Sequence, residues 1–245
     1  MSLKVAILAG GLATRLRPVT SAIPKVLLDV AGKPFAVRQI ELLRQHGLRK
    51  IVFCLGFLGE QVQAYMGDGG QWGIEIEYVF DGPQLVGTGG ALKKALPLLG
   101  EAFLVLYGDS YLECDYKGVI RAFQLSGKQG LMTVFHNAGQ WDRSNVVFQN
   151  GEILCYDKKL SSPDMQYIDY GLGILQSQVV RGYRGDQPLE LATIYQDLLA
   201  RNELAGFEIA KRFYEIGSPT GLEEAREYFS SGSSNRDDLH TTTSG

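Results

Sequence analysis

Residues 8–16 read Leu-Ala-Gly-Gly-Leu-Ala-Thr-Arg-Leu, and Pro24-Lys25 follows on the same loop. The apolar run at residues 5–8 predicts a buried β-strand that leads into the loop. Two glycines at the end of a strand let the backbone approach a ligand closely and turn its N–H groups toward phosphate oxygens. Arg15 adds a planar, bidentate guanidinium, and Lys25 adds a compact ammonium. The stretch therefore predicts a polyphosphate site carried by an α/β sheet.

Two common phosphate-binding motifs do not fit this loop. The dinucleotide-binding fingerprint needs glycine at its first, third and sixth positions. Residues 10–15 have leucine at the third position and arginine at the sixth. A P-loop would end in Gly-Lys-Ser or Gly-Lys-Thr, and this loop has no such ending. The spacing therefore disfavours a dehydrogenase built on the same class of fold.

The composition is that of an ordinary α/β enzyme. The chain has 245 residues, 45% of them hydrophobic, and a formal net charge of −3. A chain of this length can bury one large core. A slightly acidic protein gives no reason to expect nucleic acid or an anionic membrane as a partner. No apolar run approaches the roughly 20 residues that a membrane span requires. We therefore expect no nucleic-acid partner and no membrane association.

Cysteine usage and the start of the chain predict a cytoplasmic protein. Cys54, Cys114 and Cys155 are odd in number and far apart, which is typical of free thiols in a reducing compartment. The first predicted strand begins almost at the N-terminus, so we expect no signal peptide.

Strand and helix patterns alternate along the first half of the chain, and strands dominate from residue 131 onward. Predicted strands are 5–8, 51–55, 74–80, 102–107, 131–135, 145–149, 153–156 and 170–175. Predicted helices are 34–46, 59–66, 89–99, 194–201 and 221–229. The alternation predicts a single Rossmann-like α/β domain over residues 1–229, with a mixed, mostly parallel sheet and helices on both faces. The Ser-, Thr- and Gly-rich residues 230–245 predict a disordered tail.

A carboxylate stands at the end of another predicted central strand. Residues 104–107 are apolar and run directly into Gly108-Asp109. Ligands of open α/β sheets bind beyond the carboxyl ends of the strands. Because Mg²⁺ prefers carboxylate together with phosphate oxygens, Asp109 is a candidate magnesium ligand. The alternative role is that of a turn or cap residue.

The glycine-rich loop resembles the signature of the sugar-1-phosphate nucleotidylyltransferases, Leu-Ala-Gly-Gly-x-Gly-Thr-Arg-Leu-x-Pro-Leu-Thr followed by Pro-Lys. Ala13 stands where this family usually has glycine, so its methyl group is expected to narrow the loop around the triphosphate. A glycine-rich turn with two exposed cations is the alternative. The resemblance implies catalytic roles for Arg15, Lys25 and Asp109. It also implies nucleotide binding by the loop residues Leu8, Ala9, Gly10, Gly11 and Thr14.

A second motif lies near the C-terminus. Residues 214–219, Tyr-Glu-Ile-Gly-Ser-Pro, resemble the family's Trp-x-Asp-Ile-Gly-Thr-Pro, whose acid is a magnesium ligand. The resemblance implies that Glu215 joins Asp109 at the metal. Glutamate is one methylene longer than aspartate, so we expect a shifted metal position or a different denticity. Ser218-Pro219 also suits the start of a final helix, which is the alternative role of this segment.

Residues 87–92, Gly-Thr-Gly-Gly-Ala-Leu, resemble the family segment that flanks the nucleotide base. The resemblance places Gly87 and Thr88 at the nucleotide. It leaves Asp81, Gly82 and Gln84 as candidates for reading the base, so guanine is not separated from uracil or thymine. The alternative is a loop in which Thr88 caps the next helix.

Further segments stand where the family binds the sugar phosphate. Asp157-Lys158 matches the family's Glu-Lys, which implies that Asp157 accepts hydrogen bonds from sugar hydroxyls and that Lys158 pairs with the phosphate. Asp169 and Gly171 stand in place of an Asn-x-Gly motif, and Asn145 stands about where glycine is frequent. The resemblance implies sugar-phosphate binding by all five residues. Solvated charges after a strand are the alternative. The departures from the family pattern point away from plain glucose or mannose 1-phosphate.

Together these motifs imply a magnesium-dependent transfer of a nucleoside monophosphate from a nucleoside triphosphate to a sugar 1-phosphate, with loss of pyrophosphate. Residues 87–92 are most similar to the guanylyltransferase branch of the family, which favours GTP and a mannose- or heptose-type sugar phosphate. Two alternatives stay open, a non-catalytic regulatory protein that binds nucleotide-sugars and a nucleotidyltransferase for a non-sugar phosphate acceptor. The sequence is compatible with a homo-oligomer.

Overall fold

The computed structural model describes residues 3–84, 86–160, 162–185 and 187–232. In chain order, the strands are β1 (Lys4–Ala9), β2 (Asp29–Val30), β3 (Lys33–Pro34), β4 (Lys50–Leu55), β5 (Glu75–Phe80), β6 (Ala102–Tyr107), β7 (Ser110–Tyr111), β8 (Gly130–His136), β9 (Val146–Gln149), β10 (Glu152–Tyr156), β11 (Tyr167–Gln176), β12 (Leu204–Ile209) and β13 (Tyr214–Glu215). The α-helices are α1 (Phe35–Gln45), α2 (Gly59–Met66), α3 (Gly87–Ala95), α4 (Tyr116–Ser126), α5 (Ser177–Arg181), α6 (Leu191–Ala200) and α7 (Pro219–Gly232).

Nine strands of the described residues form the main sheet, in which the order β10-β9-β11-β6-β1-β4-β5 is extended by β8 and β12. β1 pairs in parallel with β4 and β6, and β4 pairs in parallel with β5. β11 joins this parallel half by an antiparallel ladder to β6. The predicted mixed α/β sheet is therefore confirmed.

Side-chain alternation along the strands divides the core between the two faces of the sheet. Val5 and Ile7 of β1 lie in one buried cluster, to which α1, α2, α4 and α7 contribute. Ala6, between them, lies in a second cluster, to which α3, α5 and α6 contribute. Helices therefore cover both faces, as predicted. Within the described ranges, no helix is long and apolar enough to cross a membrane.

Helix α4 and strand β12 were not predicted from the sequence. Helix α4 begins after Asp115, whose carboxylate accepts a hydrogen bond from the Gly118 N–H at 3.0 Å. Gly118 lowers the helix propensity of this segment, which weakens its helical signal. Strand β12 contains Gly206, a poor strand former, but pairs in parallel with β8 along its whole length. In both segments tertiary context outweighs local propensity.

Several predicted boundaries differ from the observed ones, among them those of two helices. Helix α3 starts at Gly87 and ends at Ala95, whereas the pattern predicted 89–99. Helix α7 ends at Gly232, so residues 230–232, the first of the predicted tail, are helical. The rest of the predicted tail, residues 233–245, lies outside the described residues.

One buried side chain of α1 holds the turn at the end of β6. Gln39 is 1% exposed, and its Nε2 donates to the carbonyl oxygens of Tyr107 at 3.0 Å and Ser110 at 2.8 Å. These two residues flank Gly108-Asp109. The helix therefore fixes the backbone that carries Asp109.

We expect Gln39→Leu to lower the free energy of unfolding by about 2 kcal/mol, because two carbonyls at a largely buried turn lose their donor. Denaturant unfolding measures this difference. Gln45→Leu, at the exposed end of the same helix, is the matched control and should change stability by less than about 0.5 kcal/mol. Equal stability of the Gln39→Leu variant and the wild type would contradict the role given to the amide.

Candidate active site

A cavity of about 510 Å³ opens at the carboxyl ends of β1 and β6. Backbone of the glycine-rich loop forms one wall, and the start of α3 forms another. The predicted site residues that line it are Leu8, Ala9, Gly10, Gly11, Lys25, Asp81, Gly87, Thr88 and Asp109. Thr14 lies beside this lining, in the first of three short 3-10 turns of the loop. The loop and the base segment thus face one cavity, although they are far apart in the chain.

The glycine-rich loop contains a residue in the left-handed region of backbone space. Ala13 has φ +48°, and its carbonyl oxygen accepts a hydrogen bond from Thr20 Oγ1 at 2.8 Å. A side chain is disfavoured in this region, whereas glycine adopts it readily. The backbone conformation is therefore a second reason to favour glycine at this position, in addition to the expected narrowing of the loop by the Ala13 methyl group.

An ion pair links the loop to the end of β6. Lys25 Nζ lies 2.6 Å from Asp109 Oδ2, and both side chains are largely buried. The loop ammonium and the strand-end carboxylate are 84 residues apart in sequence. Their contact brings two of the predicted catalytic residues together at the mouth of the cavity.

Strand β13 brings Glu215 beside the same turn. Glu215 pairs with Ser110 of β7, and the Ile216 N–H donates to the Asp109 carbonyl oxygen at 2.9 Å. Glu215 Oε1 accepts from the Ser218 hydroxyl at 2.8 Å, and Oε2 accepts from the Gly217 N–H. The longer acidic side chain thus curls over its own turn.

Arg15 reaches this turn as well. A Cβ at Gly217 would lie 3.0 Å from Arg15 Nη2 and 3.3 Å from Asp109 Oδ2, and it would overlap Glu215 Oε2. The guanidinium and both carboxylates therefore gather around the bare backbone of Gly217. The structure brings together all four residues predicted for catalysis and metal binding.

The donor set at Asp109 and Glu215 suits magnesium. Carboxylate oxygens together with phosphate oxygens and water are the ligands that Mg²⁺ prefers, and it usually takes only one or two carboxylates. No group of three or more His, Cys, Asp or Glu residues suited to a metal occurs in the part of the chain that the structure describes. The hydrogen-bonded oxygens of Glu215 keep lone pairs for a further contact. The residues therefore fit a cation that completes its shell with substrate phosphate.

Asp81 lines the first cavity beside the glycine-rich loop, where a Cβ at Gly10 would lie 3.0 Å from its Oδ2. It is 7% exposed, and its carbonyl oxygen accepts a hydrogen bond from the Lys94 ammonium. Burial raises the pKa of the Asp81 carboxyl, against the influence of Lys94 and of a hydrogen bond from the Val86 backbone. A buried carboxylate on the wall of this cavity can accept hydrogen bonds from the donors of a ligand.

The segment before α6 holds the start of α3, and sequence reasoning missed it. The Leu189 carbonyl oxygen accepts from Gly89 N–H at 2.8 Å and from Gly90 N–H at 3.0 Å. Thr88 Oγ1 donates to Glu190 Oε2 at 2.7 Å and accepts from the Leu191 N–H at 2.7 Å. Thr88 thus binds the start of α6 rather than capping its own helix. No local pattern signals this contact, because its partners are 102 residues apart.

A second cavity, of about 280 Å³, adjoins the first and shares Tyr107 and Asp109 with it. The predicted residues that line it are Arg15, Asp109, Lys158, Asp169, Gly171 and Glu215. Asn145 lines a neighbouring cavity together with Lys158 and Asp169. Most of the residues predicted to bind the sugar phosphate therefore lie together, beside the first cavity.

Asp157 lies apart from these residues. Its Oδ1 accepts hydrogen bonds from the Leu160 N–H at 2.9 Å and the Lys159 N–H at 2.6 Å, which lower the pKa of the Asp157 carboxyl. In the described ranges it lines neither cavity. Its predicted contact with sugar hydroxyls stays a prediction.

Most of the chain is similar to known proteins. The sequence model of the family described as "Nucleotidyl transferase" matches residues 4–228. N-acetylmuramate alpha-1-phosphate uridylyltransferase of Neisseria meningitidis serogroup B is 29% identical over 230 residues, which cover 91% of this chain and 97% of that protein. The chain spans about half the length of some other curated relatives that it matches.

Two solved structures share the fold. A putative glucose-1-phosphate thymidylyltransferase from Bacillus anthracis superposes with a TM-score of 0.81 over 92% of this chain and 94% of that chain, at 22% identity. HddC from Yersinia pseudotuberculosis, complexed with GMP-PN, superposes with a TM-score of 0.77 over 93% of this chain and 99% of that chain, at 26% identity.

We expect Ala13→Gly to raise the free energy of unfolding by about 1 kcal/mol, because it removes a Cβ from a left-handed backbone position. Denaturant unfolding gives the comparison with the wild type. Ala22→Gly, in the same loop with φ −118°, is the control and should destabilise. A loss of stability in both variants would show that the conformation of Ala13 carries no strain.

Proposed function

The chain belongs to the nucleotidyl transferase family, and from that premise we propose that it transfers a nucleoside monophosphate from a triphosphate to a sugar 1-phosphate. The observation that carries the proposal is the pair of cavities that meet at Tyr107 and Asp109. One is built from the glycine-rich loop and the other from the residues around Lys158. Lys25 lines the first cavity and Arg15 lines the second, and Lys25 contacts Asp109, which both cavities share.

The chemistry follows from bringing two anions together. An oxygen of the sugar phosphate attacks the α-phosphorus, a new P–O bond forms, and the bond to the β-phosphate oxygen breaks. Pyrophosphate leaves with the bonding electron pair. A phosphate monoester is already a nucleophile at neutral pH, so no general base and no covalent intermediate is needed. Catalysis then consists of positioning and of stabilising accumulated charge.

The cations of the site have distinct proposed roles. Lys25, held against Asp109 at 2.6 Å, bridges the α-phosphate and the attacking phosphate. Arg15 holds the departing phosphates with its guanidinium fork. Asp109 and Glu215 would hold Mg²⁺, which when bound withdraws charge from the α-phosphate oxygens. Backbone N–H groups at Gly10-Gly11 contact the phosphate chain.

For the donor we propose GTP. Guanine presents two adjacent donors, which one buried carboxylate can accept together, whereas uracil presents one. Asp81 lines the cavity and is buried, and we propose that its carboxylate accepts both. The HddC structure complexed with GMP-PN supports this proposal. UTP is the alternative, since the meningococcal relative is named a uridylyltransferase.

For the acceptor we propose a mannose- or heptose-type sugar 1-phosphate, on the likeness of residues 87–92 to guanylyltransferases. N-acetylmuramate 1-phosphate, named for the meningococcal relative, is the alternative that the comparisons supply. A non-sugar phosphate acceptor would use the same phosphate contacts at Lys158. Assays of activity with sugar and non-sugar phosphates distinguish the two kinds of acceptor. A non-catalytic regulatory protein is disfavoured because Arg15, Lys25 and Asp109 are all present.

We expect Lys25→Ala to lower turnover about a hundred- to a thousandfold, because one charge that stabilises the transition state is lost. Pyrophosphate release at saturating substrates measures this effect. Lys33→Ala is the matched control, since Lys33 is half exposed and pairs with Glu41 on the surface. Near-normal turnover in the Lys25→Ala variant would overturn the proposed mechanism.

We expect Asp81→Asn to lower kcat/KM for GTP about ten- to a hundredfold, because an amide cannot accept both guanine donors. The value for UTP should change little. Gln84→Ala, measured in parallel, tests the other side chain that is a candidate for reading the base. A drop confined to the Gln84→Ala variant, or an equal drop with both nucleotides in the Asp81→Asn variant, would exclude Asp81 as the reader of guanine.

A further inference from the structure

Asp169 is a buried carboxylate at the edge of the sugar-side cavity. Its side chain is only 4% exposed. Oδ2 accepts hydrogen bonds from the hydroxyls of Tyr156 at 3.2 Å and Tyr107 at 3.3 Å, and Oδ1 accepts from the Gly171 N–H at 3.1 Å. Because so little of this side chain is exposed and both oxygens already accept hydrogen bonds from the protein, Asp169 is poorly placed to contact sugar hydroxyls.

A bulge in strand β11 follows Asp169 and turns its carboxylate inward. The ladder between β11 and β8 shifts register between Asp169 and Gly173, and such bulges re-aim side chains. Asn145 Oδ1 accepts from the Asp169 N–H at 2.9 Å and fixes this backbone. Gly171 has φ +95°, and a Cβ there would lie 3.0 Å from Tyr107 Cδ2. The bulge therefore also makes room for the Tyr107 ring.

Lys158 is held by the same group of residues. Its Nζ donates to Tyr107 Oη at 3.0 Å and lies 3.5 Å from Asp169 Oδ2 and 4.9 Å from the centre of the Tyr107 ring. An ammonium has three N–H donors, of which Tyr107 Oη accepts one, while Asp169 pairs with its charge. The Lys158 side chain is 43% exposed, so a further donor is open to the cavity.

Tyr107 connects the carboxylate to the lysine. Its hydroxyl donates to Asp169 and accepts from Lys158. Burial and the neighbouring Asp169 carboxylate raise the pKa of Tyr107 well above its ordinary value. The phenol therefore keeps its proton and this orientation of donor and acceptor across the physiological pH range.

We propose that Asp169 is a positioning residue, which holds the Lys158 ammonium ready for the phosphate of the acceptor, directly by its charge and also through Tyr107. An unheld lysine has many rotamers, and ordering them on binding weakens affinity. Pre-positioning removes that loss. The inference rests on the proposed function, and it reassigns Asp169 from sugar contact to control of acceptor affinity.

The direction in which the acceptor KM changes in the Asp169→Asn variant distinguishes this role from a purely electrostatic effect. Asp169→Asn keeps an acceptor for the tyrosines but removes the charge that holds Lys158. We expect the KM for the sugar 1-phosphate to rise about tenfold, with kcat and the KM for the triphosphate within about twofold of wild type. If Asp169 acted only as an anion beside an anion site, its removal would lower the acceptor KM. An unchanged or lowered acceptor KM would overturn the proposal.

Two comparisons test whether the effect passes through Lys158. In a Lys158→Ala background, Asp169→Asn should add no further rise in the acceptor KM, whereas an additive rise would contradict the proposal. Tyr156→Phe removes a hydroxyl that touches Asp169 but not Lys158, and it should leave the acceptor KM within about twofold of wild type. A tenfold rise there would show that general packing of the group is responsible.

Tyr107→Phe provides a variant without any change of charge, in case Asp169→Asn fails to fold. It should also raise the acceptor KM, by about threefold, because Lys158 loses its nearest acceptor. An acceptor KM equal to that of the wild type would contradict the proposal. Failure of the proposed function is distinguishable, because the wild type itself would then release no pyrophosphate with any sugar 1-phosphate.

Discussion

Parallel pairing of β1 with β6 is the constraint on which the site depends. The register sets Leu8 opposite Tyr107, so both strands end at the same edge of the sheet. The glycine-rich loop leaves one strand there, and the turn that carries Asp109 leaves the other. The ion pair between Lys25 and Asp109 closes the gap between them, and the β13 pairing with β7 adds Glu215 to the same turn.

Two lysines of the site pair with carboxylates in the structure. Lys25 pairs with Asp109, and Lys158 lies against Asp169 and Tyr107. Each ammonium keeps a donor that its partners do not use. A phosphate can therefore join each pair without displacing it. Lys25 lines the first cavity, Lys158 lines the second, and Tyr107 lines both, which suits a reaction that joins two phosphates.

Sequence patterns predicted the central strands and the residues at their ends, because buried runs followed by Gly-Gly or Gly-Asp mark where a sheet exposes ligand-binding groups. They did not predict the hydrogen bonds of Gln39 or the contact between Thr88 and Glu190, because the partners in these contacts are 68 or more residues apart in the chain. The inward turn of Asp169 comes from a bulge, and no local pattern marks it. At Asp157 the sequence matches the family motif, but the side chain accepts a hydrogen bond from the backbone of its own turn.

The most direct test of the central claim is pyrophosphate release by the wild-type protein with Mg²⁺. Each common nucleoside triphosphate would be paired with mannose, heptose, glucose and N-acetylmuramate 1-phosphates. We expect release only when one particular triphosphate and one particular sugar phosphate are both present, with a nucleotide-sugar formed in equal amount. Absence of release from every pair, alongside tight binding of a nucleotide or nucleotide-sugar, would contradict the claim and indicate a non-catalytic binding protein.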